Sequence, residues 1–168
     1  IYADGRRRGR PCENVVVDGC TVFAGHGGFV VGSEMSGGVR NILVNHCQFL
    51  GTDVGLRFKS TRGRGGIVEN IFINDISMTD IKTDAITFNI YYGGKSVAEM
   101  LADGDNPDNT TKMPVTEETP IFRHIDIRNI VCSGAGRAME FNGLPEMLIE
   151  DITLKDIHII AKKDAEFT

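Results

Sequence analysis

Asn14-Val-Val-Val-Asp-Gly-Cys20 is a phrase that recurs as Asn41-Ile-Leu-Val-Asn-His-Cys47 and Asn70-Ile-Phe-Ile-Asn-Asp-Ile76. Two further copies are His124-Ile-Asp-Ile-Arg-Asn-Ile130 and Glu146-Met-Leu-Ile-Glu-Asp-Ile152. Apolar residues occupy the second, fourth and seventh positions of each copy, which indicates a strand followed by a turn. The copies begin 27, 29, 54 and 22 residues apart. This spacing predicts a solenoid in which one unit is enlarged by an inserted loop.

Each unit also carries a second strand with alternating apolar residues. One two-strand unit cannot bury its apolar face alone, so successive units are expected to stack. Stacked coils about 4.8 Å apart would align these residues in columns inside the molecule. The sequence therefore predicts an all-β fold, a right-handed parallel β-helix of about five coils, as a single segment over residues 1–168. Two predicted interior columns are Val17, Val44, Ile73, Ile127, Ile149 and Cys20, Cys47, Ile76, Ile130, Ile152.

The scarcity of hairpin signals favours this fold over an antiparallel sandwich. A sandwich would show hairpin signals such as Asn-Gly between adjacent strands, and Asn142-Gly143 is the lone example in the sequence.

Residues 93–120 break the repeat with Pro, Asp, Asn and Thr, and contain one helix-like run at residues 97–101. We expect an inserted loop here that shapes a binding groove, since loops this long are more often functional than idle.

Composition narrows the classes of function. The formal net charge of −5 gives no reason to expect binding to nucleic acid or to anionic membranes, and no apolar run is long enough to span a bilayer. No CxxC pair occurs among the cysteines, which predicts free thiols rather than disulfides, and neither a metal nor a cofactor is expected. We predict a periplasmic or secreted location. Secretion is compatible with the sequence, because Ile1 is not a natural initiator and a signal peptide could have been removed.

Positive charge is nevertheless concentrated in two clusters, which are Arg6, Arg7, Arg8, Arg10 and Arg57, Lys59, Arg62, Arg64. In the second strand of a coil, Leu56 and Phe58 would point inward, so Arg57 and Lys59 would project from one outer face. Arg binds a carboxylate through two parallel hydrogen bonds, and Lys adds a mobile charge. The pair is therefore suited to an anionic sugar, although an ordinary exposed strand face has the same pattern.

The 27-residue period also places His26 beside Asp53 in the neighbouring coil. Gly25-His26-Gly27-Gly28, followed about thirty residues later by Arg57-Phe58-Lys59, resembles the GHG and RIK motifs of glycoside hydrolase family 28. The resemblance runs through nearly the whole chain and is strongest to the bacterial exo-polygalacturonase branch. It implies that His26 supports a catalytic centre, that Arg57 and Lys59 bind a galacturonate carboxylate, and that Tyr92 contacts substrate, with Tyr91 as the alternative.

One departure from the family pattern concerns the catalytic acids. The NTD motif and Asp-Asp pair of the family precede the GHG turn, and neither occurs before His26. Inverting hydrolysis requires one carboxylic acid and one carboxylate with room for water between them. We therefore expect a fragment that lacks flanking coils and is inactive alone. Exposed stack ends would then permit self-association.

The resemblance implies that the intact protein hydrolyses α-1,4-linked galacturonic acid of pectin with inversion, and that its partner is an acidic polysaccharide. The alternatives are a non-catalytic module that binds acidic polysaccharide and a structural β-helix, because fold does not determine function. Arg62-Gly63-Arg64-Gly65-Gly66 superficially resembles an RNA-binding RGG segment. The interleaved aromatic residues and basic balance of such binders are absent, so no nucleic-acid partner is expected.

Overall fold

A computed structural model describes residues 3–91 and 111–168 of the chain. In these ranges one short helix precedes nine strands. The bounds are α1 Asp4–Arg8, β1 Cys12–Asp18, β2 Thr21–Phe23, β3 Phe29–Val31, β4 Val39–Leu50, β5 Leu56–Lys59, β6 Ile67–Asn89, β7 Ile121–Asn142, β8 Glu150–Lys163 and β9 Glu166–Phe167. The predicted helix-like run at 97–101 and Tyr92 lie outside the described residues.

All pairing between these strands is parallel, and each strand pairs with the equivalent strand of the next coil. One ladder runs from β1 through β4, β6 and β7 to β8, and a second runs from β3 through β5 to the end of β6. This is the topology of a parallel β-solenoid of about five turns. The predicted fold class is confirmed.

The strands of up to 23 residues bend at corners where the backbone is left-handed. Asn and Asp tolerate a positive φ better than most residues, because their short side chains hydrogen-bond locally. At one corner this φ lies between 53° and 58° in Asn14, Asn41, Asn70, His124 and Asp151. The Nδ2 of Asn41 donates to Oδ1 of Asn14 at 3.1 Å, so the corner residues also bond along the stack. The first residue of each repeat is therefore a corner.

Columns of apolar side chains fill the interior. Val44, Ile73 and Ile127 are in register and essentially inaccessible. Beside them Phe58, Phe88 and Phe141 stack with ring centroids 4.3 and 4.9 Å apart. Offset or stacked aromatic pairs add to the stabilisation from burial. All four cysteines are free thiols, as predicted, and Cys47 and Cys132 are buried in this core.

The last member of each predicted column was wrong. Ile127 pairs with Leu154 rather than Ile149, and Ile130 pairs with Ile157 rather than Ile152. The fifth repeat therefore begins at Asp151, 27 residues after His124, and not at Glu146. Residues 143–149 connect β7 to β8, which begins only at Glu150. An antiparallel bridge between Leu144 and Met147 closes this connection.

The first and last described coils expose apolar side chains. Val16, Phe23, Leu148 and Phe167 are each about two-thirds exposed or more. Phe167 extends the interior column of Phe88 and Phe141, whereas Val16 lies on an outer row in which Phe72 of an interior coil is also 51% exposed. The expected self-association through these ends stays a prediction.

Candidate functional site

The outer face of β5 presents the two cations predicted from sequence. Leu56 and Phe58 are fully buried, whereas Arg57 and Lys59 alternate with them and are partly exposed. In the next coil Thr87 lies beside Arg57 and Asn89 beside Lys59. Strands β5 and β6 therefore place two positive charges beside two neutral hydrogen-bonding groups, of which Thr87 is buried. We call Arg57 and Lys59 the cation pair.

His26 lies in a tight glycine turn immediately before β3. A Cβ on Gly28 would come within 2.3 Å of the Phe49 ring, and one on Gly27 within 2.4 Å of the Val30 side chain. The glycines are thus required by close packing beneath the turn. The imidazole above them is largely exposed, and its Nδ1 lies 2.9 Å from Oδ2 of Asp53. The predicted neighbourhood of His26 and Asp53 is confirmed.

Contacts with both ring nitrogens define the tautomer of His26. Nη1 of Arg57 lies 3.2 Å from Nε2, and a guanidinium can only donate hydrogen bonds. Nε2 must therefore be the acceptor, which places the ring proton on Nδ1, where it is donated to Asp53. The chain Asp53–His26–Arg57 links the glycine turn to the cation pair and orients the guanidinium.

Asp53 anchors this chain from the coil below. Its Oδ1 accepts a hydrogen bond from Nζ of Lys82 at 3.0 Å, so both carboxylate oxygens are engaged. The hydrogen bond from His26, and then that from Lys82, hold the pKa of Asp53 below its usual value. The carboxylate therefore stays ionised until the pH falls through that lowered pKa. Asp53 is suited to positioning His26 and is a poor proton donor.

The polar face continues across the next coils. Glu140 lies beside Thr87, and Asn142 beside Asn89. A row of hydroxyl, amide and carboxylate groups therefore extends along the stack from the cation pair.

Tyr91 is the described member of the two candidate tyrosines. Its backbone N donates to Oδ1 of Asn89 at 2.8 Å, and burial raises the pKa of its phenol. The side chain is half-buried against the core rather than projecting from it. The position of Tyr92, the favoured candidate, is outside the described residues.

Several cations of the two basic clusters have acidic partners. Arg6 bonds Glu118 and the backbone oxygens of Arg64 and Glu117, and Arg7 pairs with Asp4. Arg62 forms a bidentate pair with Glu146 at 2.7 and 2.8 Å. These three pairs offset part of the positive charge of the two basic clusters.

The sequence interpretation missed Lys82, Arg137 and Glu146 as partners around this face. A regular signal existed for Lys82, which follows Asp53 by 29 residues, as Asp53 follows His26 by 27. Arg137 and Glu146 lie beyond the inserted segment that lengthens one repeat to 54 residues. Among residues 3–91 and 111–168, no group of three metal-binding side chains was found, and no helix is long and apolar enough to cross a membrane.

Comparison with known proteins places this geometry in a family. The sequence model described as "Glycosyl hydrolases family 28" matches residues 8–166. The chain belongs to this family. A crystal structure of a hyperthermoactive exopolygalacturonase from Thermotoga maritima superposes with a TM-score of 0.77 and 32% identity, over 96% of this chain and 33% of that chain.

Two curated relatives of this glycosyl hydrolase family 28 chain also carry the name polygalacturonase. A probable polygalacturonase of Vitis vinifera is 26% identical over 157 residues, 92% of this chain and 29% of that protein. A polygalacturonase of Ralstonia nicotianae (strain ATCC BAA-1114 / GMI1000) is 40% identical over 74 residues, 42% of this chain and 14% of that protein. The chain thus spans a third or less of the length of these relatives.

Proposed function

We propose that this family 28 chain binds pectin through α-1,4-linked galacturonic acid, as part of a hydrolase that cleaves the polymer with inversion. The observation that carries the proposal is the cation pair, oriented through His26 by Asp53. Arg57 offers a fork of donors to a carboxylate, and Lys59 lies two residues along the same strand face. The names of the relatives support the substrate class.

His26, Arg57 and Lys59 act together in this proposal. His26 supports the centre by holding the guanidinium, while Arg57 and Lys59 receive a uronate carboxylate. Tyr92 is proposed as a substrate contact, as the family resemblance implies. A periplasmic or extracellular location is proposed because pectin is an extracellular polymer.

We further propose that the 168 residues alone do not hydrolyse pectin. Inversion needs a protonated acid and a second carboxylate on opposite sides of the bond. Asp53, which is linked to Arg57 through His26, has a lowered pKa that disfavours the role of the acid, and both of its oxygens are engaged, which leaves neither free to activate water. The same observation favours the second candidate function, a non-catalytic module that binds acidic polysaccharide.

Calorimetric titration of the 168-residue chain with hexagalacturonate tests the binding proposal. We expect Arg57→Ala to weaken binding about 10- to 100-fold, since one carboxylate loses a bidentate, charge-assisted contact. Arg128→Ala is the matched control, because Arg128 is paired with Asp126 on the separate β7–β8 face. Equal affinity for a neutral hexasaccharide, or equal loss in both variants, would contradict the proposal.

A reducing-end assay on polygalacturonate tests the second part. We expect no release of reducing ends above a buffer blank, even at enzyme concentrations in the micromolar range. Robust turnover by these residues would show that the chain holds its own acid and base. Binding without turnover is the outcome expected for a chain that binds the polymer but does not cleave it.

A further inference from the structure

A negatively charged region lies on the same outer row as the cation pair. Arg57 is in register with Thr87, Thr87 with Glu140, and Glu140 with Glu166. Glu140 is thus two coils from Arg57, about 10 Å along the solenoid axis at the usual spacing of strands. A saccharide long enough to extend from the cation pair along this row would cross it.

The Glu140 side chain is held by donors from three positions. Nη2 of Arg137 lies 2.6 Å from Oε1, and Oγ1 of Thr87 and Nδ2 of Asn89 lie 3.0 and 3.4 Å from Oε2. The side chain is only 14% exposed. Glu140 is therefore a fixed acceptor in the floor of the row rather than a mobile surface carboxylate.

The charge around Glu140 is not balanced. Arg137 also pairs with Asp84 and with Glu166, each at 2.6 Å. One guanidinium thus serves three carboxylates. Lys163, in register with Arg137 on β8, is the neighbouring cation, so these five side chains together carry a net charge of −1.

We propose that Glu140 makes the sugar position two coils from the cation pair selective for an uncharged unit, either a neutral sugar or an esterified uronate. The inference rests on the proposed function, because it assumes that a uronate carboxylate is bound by Arg57 and Lys59. A second uronate at Glu140 would bring like charges together at partial burial. A sugar hydroxyl there would instead donate to the remaining lone pairs of the carboxylate.

Binding of two probes to three variants tests the inference. The probes are hexagalacturonate and its methyl-esterified form, titrated at low and high salt. We expect Glu140→Gln to raise the affinity for hexagalacturonate about 3- to 10-fold at low salt, and to leave the affinity for the esterified form unchanged. The gain should shrink at high salt, because added ions screen the charge that the substitution removes.

Glu166→Gln provides a variant that leaves the inner network intact, since the Glu166 side chain is 59% exposed. It should give a smaller gain of the same sign. Unchanged or reduced affinity of both variants for hexagalacturonate overturns the inference, while loss of affinity in Arg57→Ala still supports the proposed function. If Arg57→Ala binds hexagalacturonate as well as the parent chain does, the proposed function fails and the inference fails with it.

Discussion

Replacing Phe88 with alanine should lower the free energy of unfolding by about 3–5 kcal/mol, the cost of truncating a fully buried aromatic side chain. Phe88 is completely inaccessible and stacks on Phe58 on one side and Phe141 on the other. It also meets the edge of the Phe122 ring, with centroids 6.3 Å apart. Truncation would remove contacts to the coils on both sides and leave a cavity that the rigid strand backbones cannot close.

Urea denaturation followed by far-ultraviolet circular dichroism measures this effect. Phe23→Ala is the matched control, because Phe23 also lies in a strand but is 77% exposed. We expect the control to change stability by less than about 0.5 kcal/mol. Similar losses in the two variants would mean that the aromatic column does not stabilise the stack.

Replacing Phe88 with alanine should also disturb the outer row that continues from the cation pair. Phe88 lies between Thr87 and Asn89, whose side chains line the row that continues from the cation pair. Because the inward and outward side chains alternate on one strand, a shift of the backbone into the cavity would also displace the outer row. Affinity for hexagalacturonate should therefore fall in Phe88→Ala, in parallel with stability.

Replacing Arg62 with alanine should cost about 2–4 kcal/mol of stability, because it leaves a buried carboxylate without its partner. The Glu146 side chain is 4% exposed and receives both hydrogen bonds of the guanidinium fork. Arg62 also donates to the backbone oxygen of Thr111 at 3.2 Å. The ion pair therefore joins the turn after β5, the connection after β7 and the described end of the inserted loop.

The pH dependence of the effect follows from the carboxylate. Hydrogen bonding to Arg62 is the main cause that holds the pKa of Glu146 below its usual value. The stabilisation is therefore complete above the pKa of an unfolded glutamate and is lost as the pH falls through the lowered value. The difference between the parent chain and Arg62→Ala should accordingly be largest near neutral pH and should narrow in acid.

Arg40→Ala is the control for Arg62→Ala. Arg40 pairs with Glu13 at 2.6 Å, but the two side chains are 48% and 35% exposed. Such a pair contributes about 0–1 kcal/mol, since water screens both charges. Denaturation midpoints at pH 7 and pH 4 would test both expectations, and a loss in Arg62→Ala no greater than that in Arg40→Ala would contradict them.

Much of the fold follows from the repeat. The alternation within Asn14–Cys20 and its successors correctly aligned Val17, Val44, Ile73 and Ile127, because side chains on parallel strands stack in register. The fifth member failed because Glu146–Ile152 and the segment beginning at Asp151 have the same apolar alternation. Periodicity alone cannot distinguish two such segments five residues apart. The left-handed corner at Asp151, together with the backbone hydrogen bonds, selects one of them.

Some features of the candidate site were likewise predicted from the sequence, and others were not. The period placed His26 beside Asp53, and the alternation placed Arg57 and Lys59 on one face, since both depend only on strand geometry. The ion pairs of Arg62 with Glu146 and of Arg137 with Glu140 were beyond reach. Their members are 84 and 3 residues apart, and the former pair is separated by the inserted loop that interrupts the repeat.

The sequence by itself determined that the chain forms a stack of parallel coils with the cation pair outward, because strand alternation and a constant repeat are local properties of the chain. Only the tertiary structure decided where the fifth coil begins, which nitrogen of His26 carries the proton, and which cations are paired. These depend on atoms that meet only after the coils have stacked.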